Sequence, residues 1–368
     1  MKEIAKHHRV LYVDYAATWK DFFVALVNKD FKKALRMLGL RRRLKVIKSR
    51  SKKIVVLTLP PMLPLNFLPS GLVYDLCNKL NGWVARLSIR KAMRRLQFCQ
   101  PVVINAFAPG LGMGLLNKLR ELGTFYYCYD EITQAVWNKK HGAQMETRFA
   151  REATAVVVSS DALQTEKAAL NNNIFLVKNG VDTDIFQPVD FIRKTTTKPV
   201  IGFVGSLDSR IDYQLLNDLI SGSPEFHFLF VGRVLDPEFE KLKQKANVKW
   251  IPPVHYNQLP RYIQQFDVGI IPFVKSAFTE KIYPLKINEY LAVGKAVVMT
   301  SFAQLPEFDH IVEKADDAHS FKQKIKQSLE SNCQKKACER KTFAKNNSWE
   351  KRAEEFCSII DQVMCGHK

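Results

Sequence analysis

From residue 198 to about residue 300 the chain alternates short apolar runs with amphipathic stretches, in units of roughly two dozen residues. That rhythm leaves few folds open. Parallel neighbouring strands need a long crossover, crossovers of this kind are right-handed, and the sheet they build is buried on both faces. The predicted strands are Val200–Val204, His227–Val231, Val248–Ile251, Val268–Pro272 and Ala296–Thr300, with helices at about Tyr213–Ile220, Pro237–Ala246, Gln258–Phe266 and Pro284–Val293. Gly205, Gly232 and Pro272 each follow a strand's C-terminal end, the edge at which open α/β sheets bind ligands.

One unit carries more chemistry than the rest. Tyr283 to Val298 joins a Pro-started helix, a Gly stop and an apolar strand. Pro284 suits the first helical turn and Gly294 the left-handed position past the end. Lys286, Glu289 and Tyr290 then share one helix face. A helix N-terminus offers unpaired N–H groups to a diphosphate, Lys286 adds a full charge, and Glu289 can accept from ribose hydroxyls. A solvated Lys and Glu on an ordinary amphipathic helix is the competing reading.

The N-terminal half has the same grammar with less regularity: Arg9–Val13, Ile54–Leu59, Val102–Ala106, Thr124–Tyr129, Ala155–Ser159 and Ile174–Val177 read as strands. Pro60 to Pro69 carries too many prolines for a helix or central strand and reads as a loop. A length of 368 residues favours two domains. The boundary is expected in the polar, Thr-rich stretch from Gln187 to Pro199. Seven cysteines without a Cys-x-x-Cys pair read as reduced thiols.

The formal charge of +20 is unevenly placed. Residues 20–53 hold thirteen Lys or Arg against Asp21 and Asp30, interleaved with Phe22, Phe23, Leu26, Phe31, Leu35, Met37 and Leu38. This pattern predicts a helix or loop lying on an anionic membrane surface. Arg86 to Arg95 adds five more cations. With no long apolar run and no signal-like start, the expected location is cytoplasmic, peripheral on the inner face of the cytoplasmic membrane.

Val177-Lys-Asn-Gly-Val-Asp-Thr-Asp-Ile-Phe-Gln-Pro188 resembles the linker of glycosyltransferase family 4. Val158-Ser-Ser-Asp161, Ile201-Gly-Phe-Val-Gly-Ser-Leu-Asp208, Val254-His-Tyr-Asn-Gln-Leu-Pro260, Phe266-Asp-Val-Gly-Ile-Ile-Pro-Phe273 and Ser348-Trp-Glu350 fall in the matching order. Together they are similar to bacterial cell-surface polysaccharide glycosyltransferases, including those of the teichuronic acid type. The resemblance implies an α/β GT-B fold, two Rossmann-like domains with parallel sheets facing a cleft. It implies an acceptor-side domain over 1–187 whose first strand is missing, a linker at 188–199, a nucleotide-sugar-binding domain over 200–347, and a last helix, 348–368, crossing back. It also implies a nucleoside-diphosphate sugar donor, a glycan or lipid-linked acceptor, retention of configuration, and neither cofactor nor metal. The family's first of two glutamates, spaced from Glu289, falls here on Lys281, with Glu280 one position away.

Glycosyl transfer places growing negative charge on a departing diphosphate, so fixed cations aimed there supply much of the catalysis. The catalytic candidates are Arg210, Lys286 and, on the acceptor side, Asp130, with Glu131 beside it; a carboxylate there can orient or deprotonate the acceptor hydroxyl. Donor-binding candidates are Gly205, Ser206, Arg233, His255, Pro284, Leu285, Lys286 and Glu289. Leu285 and Ile287 are also expected to pack into the core, Arg210 has Asp208 or Asp212 as alternative partners, and Asp130 can instead cap a helix. Gly110-Leu-Gly-Met-Gly114 departs from the dinucleotide fingerprint and reads as tight packing. Two other functions stay open: a basic nucleic-acid-binding protein, though no recognition motif supports it and no nucleic acid is expected, and a sugar-nucleotide epimerase on the same fold.

Overall fold

The computed structural model describes residues 1–49, 52–132, 140–187 and 197–366. Most of the expected 188–199 linker lies outside those residues. The chain forms two compact units, Met1–Val177 with Ala353–Lys368, and Lys178–Arg352.

Strands in the first unit are β1 (Leu11–Val13), β2 (Leu44–Ser49), β3 (Lys52–Leu57), β4 (Val102–Ala106), β5 (Gly123–Cys128), β6 (Ala155–Val158) and β7 (Ile174–Leu176). They fall into two sheets, β1-β3-β2 and the parallel β4-β5-β6-β7. β2 pairs antiparallel with β3, and it corrects the expectation that residues 22–53 are helix or loop. Lys45 and Lys48 stand among Leu44, Val46 and Ile47 without strict alternation, so the strand reads in sequence as part of the basic run. Helices do occupy Trp19–Val27 and Phe31–Met37. The first is closed by a capping box in which Thr18 and Asp21 satisfy each other's backbone N–H.

The glycines near residue 112 serve packing. A Cβ on Gly82 of the helix Leu72–Arg95 would lie 2.6 Å from the Cα of Gly114, and one on Gly112 2.7 Å from the Phe149 ring. Two helices therefore cross backbone to backbone, an approach that side chains would block.

The second unit contains β8 (Val200–Val204), β9 (His227–Val231), β10 (Val248–Ile251), β11 (Val268–Ile271), β12 (Ala296–Met299) and β13 (Glu313–Lys314). All run parallel, in the order β10-β9-β8-β11-β12-β13. The order reverses direction between β8 and β11, and it is at the C-terminal ends of the strands beside such a reversal that open α/β sheets bind ligands. β8, β11 and β12 are buried along their whole length, as continuous apolar runs in a covered parallel sheet must be. The Asn-Gly-Val-Asp motif packs on the Ser348 segment: Val181 N–H donates to Asn347 O at 3.0 Å, and Trp349 N–H to Val181 O at 3.0 Å. The last helix, Trp349–Gly366, begins there and from Ala353 belongs to the first unit, where Phe356 and Val363 join Phe125 and Val157 in one apolar cluster.

Candidate functional site

The helix Leu285–Ala292 is positioned by its neighbours before any charge is considered. The hydroxyl of Tyr290 accepts the Val204 N–H at 2.9 Å, which pins the helix to the end of β8. The Tyr290 ring lies where a Cβ on Gly269 of β11 would stand, 2.4 Å away, so only glycine admits it. At the far end, Gly294 N–H bonds Leu291 O and Lys295 N–H bonds Tyr290 O, with Gly294 at φ +83°, a Schellman stop. At the near end Pro284 is the cap residue and not the first helical residue, because its ψ of 118° is extended. No side chain caps the helix start, so its first N–H groups stay available to a ligand.

Two glycines bring the strand ends close enough to meet this helix. Gly205 has φ +135° and Gly232 φ +151°. A Cβ on Gly232 would sit 1.8 Å from Gly205 O, and one on Gly205 would sit 2.5 Å from Lys286 Cε and 2.9 Å from its Nζ. The Lys286 side chain thus fills the space that glycine leaves. Its ammonium lies 5.3 Å from the Phe203 ring centre and 5.2 Å from that of Phe273. Among the described residues it has no ion-pair partner. Burial, aided by the nearby Arg210 charge, pushes its pKa down to about 8.

One turn along, Glu289 is 7% exposed and its carboxyl is pushed up to about 7 by burial, against the opposing pull of Lys286 and of a hydrogen bond from Tyr256. That bond runs from the Tyr256 hydroxyl to Glu289 Oε1 at 3.4 Å. The Tyr256 ring rests edge-on against Phe186 at 5.2 Å.

The other expected residues divide. Ser206 follows Gly205, half-buried. Arg210 is committed to Asp208, its Nε donating to Oδ1 at 2.8 Å and its Nη2 to Oδ2 at 2.6 Å. It realises the pairing that the sequence left open as an alternative, and it lies 5.6 Å from the Phe273 ring centre. Burial raises the Asp208 carboxyl, but the Arg210 bonds and charge outweigh this and hold it below its ordinary value. Arg233 is exposed, and its carbonyl accepts Leu207 N–H at 2.8 Å. His255 is exposed and caps a short 3-10 turn, its Nδ1 accepting Asn257 N–H at 3.4 Å. Leu285 is 41% exposed at the helix start, which corrects its expected place in the core; Ile287 is fully buried as expected. Glu280 is exposed in the 3-10 turn Thr279–Lys281. Asp130 belongs to the first unit, where its Oδ1 accepts Glu131 N–H at 2.9 Å and Glu131 is buried.

Sequence reasoning pointed to the segment Val254-His255-Tyr256 without singling out Tyr256, and it did not bring Phe203 or Phe273 beside Lys286. Tyr256 stood beside His255 in the strand-end segment, and the choice between them depends on which side chain the 3-10 turn aims at Glu289. Phe203 and Phe273 read only as core.

Residues 198–331 match the family described as Glycosyl transferases group 1. Among curated proteins, the chain is similar to the putative teichuronic acid biosynthesis glycosyltransferase TuaH of Bacillus subtilis (strain 168), 30% identical over 168 residues. That match spans 42% of this chain and 42% of the relative, less than half of its length. Among solved structures, sucrose-phosphate synthase from Thermosynechococcus elongatus superposes with a TM-score of 0.64 at 14% identity, over 98% of this chain and 100% of that one. Anabaena HepE, in complex with UDP, gives 0.60 at 14% identity, over 96% of this chain and 100% of that one. Such low identities speak to fold alone. The uncapped helix, the paired glycines and the half-buried lysine therefore sit in the segment that matches Glycosyl transferases group 1, within a chain that shares the GT-B fold of these solved structures.

Proposed function

We propose that this protein is a glycosyltransferase that moves a sugar from a nucleoside-diphosphate sugar to a glycan acceptor, lipid-linked, in cell-surface polysaccharide synthesis. The observation that carries the donor half is Lys286. A desolvated ammonium on a half-buried side chain, facing two ring faces beside an uncapped helix start and without an ion-pair partner among the described residues, is a fixed cation lacking its anion. A diphosphate supplies that anion. As the bond between the anomeric carbon and the phosphate oxygen breaks, its electron pair passes to the diphosphate, and Lys286 with the N–H groups of Leu285 and Lys286 stabilises the growing charge. Glu289 accepts from the ribose hydroxyls, with Tyr256 holding its carboxylate. Arg210 serves the diphosphate once released from Asp208, and Asp130 serves the acceptor hydroxyl. Retention of configuration is the outcome this reading takes from its family resemblance. The acceptor and pathway are supported by the likeness to TuaH, and the location at the inner membrane face by the basic segment 20–53.

A thermal-shift panel of UDP, GDP, dTDP, CMP and their sugar conjugates tests the donor class. A ligand that binds only the folded state stabilises it by about 2.7 kcal/mol at a hundred times its Kd. One nucleoside diphosphate is expected to raise Tm selectively, and Glu289→Ala is expected to remove most of the rise. Absence of any shift, with tight salt-sensitive binding to RNA instead, would move the reading to nucleic acid.

Binding should also depend on pH in a definite sense. Without ligand, Lys286 loses its proton near pH 8 while the unfolded chain keeps it to 10.5, so its burial costs stability below pH 8 and the cost fades as pH rises. Glu289 holds its proton to about pH 7 against 4.5 unfolded, so its cost grows as pH rises from 4.5 to 7. A bound diphosphate raises the Lys286 pKa again. Affinity is expected to peak between about pH 7 and 8 and to fall on both sides, with proton uptake on binding above pH 8. Calorimetry in buffers of different ionisation enthalpy measures that uptake; its absence would remove Lys286 from the diphosphate.

A further inference from the structure

The helix Leu72–Arg95 is apolar on two opposite faces. Tyr74, Ala85, Ile89, Ala92 and Met93 are buried along one side. On the other side Leu72, Leu76, Leu80, Trp83 and Leu87 recur at spacings of four, four, three and four, and they are between 46% and 88% exposed. Taking 100° per residue, these five fall within about a quarter of the helix circumference, opposite the buried set. The stripe is about 22 Å long at 1.5 Å per residue. A soluble surface helix carries polar residues on that side, so this face is built to be covered.

Its charges indicate the cover. Lys79, Arg86, Arg90, Lys91, Arg94 and Arg95 are the helix's cations, against Asp75 alone among its acids. Lys79, Arg86 and Arg90 flank the stripe on one side and Lys91 on the other, and Arg94 continues its line. No helix of the described residues is long and apolar enough to cross a membrane.

A second element repeats the pattern nearby. In the helix Trp19–Val27, Trp19, Phe23 and Val27 are exposed at intervals of four. Trp19 N–H donates to Met62 O at 3.0 Å, and at the next residue Leu63 N–H donates to Asn81 Oδ1 at 2.8 Å, so the start of that helix and the middle of the longer one hang on adjacent residues of one loop.

We infer that the exposed face of Leu72–Arg95 lies flat in the interfacial layer of an anionic lipid bilayer, with the Leu72 to Leu87 stripe among the acyl chains, Trp83 at headgroup level and the flanking cations on lipid phosphates. This deepens the membrane reading given above and rests on it. That reading used the basic segment 20–53 with its interleaved apolar residues and the cations from Arg86 to Arg95; the inserted stripe adds a second apolar surface whose burial salt does not screen.

The test is co-sedimentation of the full chain with phosphatidylcholine vesicles, with and without phosphatidylglycerol, for three proteins: wild type, Leu76→Gln/Leu80→Gln/Trp83→Gln, and Arg41→Glu/Arg42→Glu. Arg43 is left alone because its guanidinium donates to Met37 O at 3.0 Å and supports the fold. The replaced side chains of the triple variant point to solvent, and an unchanged melting temperature confirms its fold. The expected result is wild-type binding to anionic vesicles that partly survives high salt, weakened about a hundredfold or more in the triple variant. Arg41→Glu/Arg42→Glu should instead lose mainly the salt-sensitive part. Quenching of tryptophan fluorescence by lipids brominated on the acyl chains should accompany wild-type binding and diminish in the triple variant. Wild-type-like binding by the triple variant would overturn the stripe and leave the membrane reading standing. Failure of the wild type to bind any vesicle would overturn both. Concentration-dependent dimerisation by the wild type, lost in the triple variant, would assign the face to a second copy and overturn the bilayer.

Discussion

Lys286→Met is expected to weaken nucleoside-diphosphate binding by about ten- to a hundredfold, the worth of a charge-assisted hydrogen bond, and to lower turnover by about 10²–10³. Methionine keeps an unbranched stem to fill the space beside Gly205 and between the Phe203 and Phe273 rings, so packing is nearly conserved while the charge goes. Stability of the free protein should not fall. An ammonium whose pKa burial has pushed down to about 8 is held there at a cost, and removing it lifts that cost. The signature is a divergence: binding collapses in calorimetry while the melting temperature holds or rises. A parallel loss of both would make Lys286 a structural residue and the site reading wrong.

Gly232→Ala should act through the backbone. Its Cβ would stand 1.8 Å from Gly205 O, an atom with no side-chain freedom to withdraw, at a φ of +151° that side chains rarely adopt. Overpacking and strain together are expected to cost roughly 3 kcal/mol, a drop of about 6–12 °C in Tm for a unit of this size. Because the displaced atom belongs to Gly205, which abuts Lys286, nucleotide binding should be lost beyond what the stability change explains. Gly71→Ala is the control, since Gly71 has φ +144° but no atom within 4 Å of its Cβ position. Equal effects at both positions would mean that the backbone angle alone matters and that the Gly205 contact carries nothing.

The second unit was readable because its information is local. Each strand of the parallel sheet is a short apolar run, each helix a period of three to four, and Gly205, Gly232 and Gly294 mark ends that require φ above zero. All five strands expected there formed within a residue or so of their anticipated limits, and the sixth, β13, is only two residues long. The first unit was harder. β2 is a cation-laced strand whose pairing with β3 satisfies its backbone, and nothing within Leu44–Ser49 alone distinguishes it from a solvated basic segment.

Within the candidate site, the helix face that carries Lys286 and Glu289 followed from spacing; that Lys286 abuts Gly205 is seen only in the structure. The orientation of Arg233, His255 and Leu285 did not follow from spacing. Each lies beside a strand end or helix start, yet Arg233 and Leu285 are exposed and His255 caps a turn. Sequence places a residue at an edge; the local turn decides which way it faces.

What the sequence determined by itself was the architecture of the second unit, the helix that carries the site, and the two charges on it, because hydrophobic period and helix punctuation act over a few residues. Only the tertiary structure decided that Tyr256 reaches Glu289 across 33 positions, that Phe203 and Phe273 flank an ammonium without an ion-pair partner among the described residues, and that Arg210 turns to Asp208. It also decided which of the two apolar faces of Leu72–Arg95 is left uncovered. Burial, which sets both the pKa of a lysine and the fate of a leucine, is a property of what the rest of the chain brings alongside.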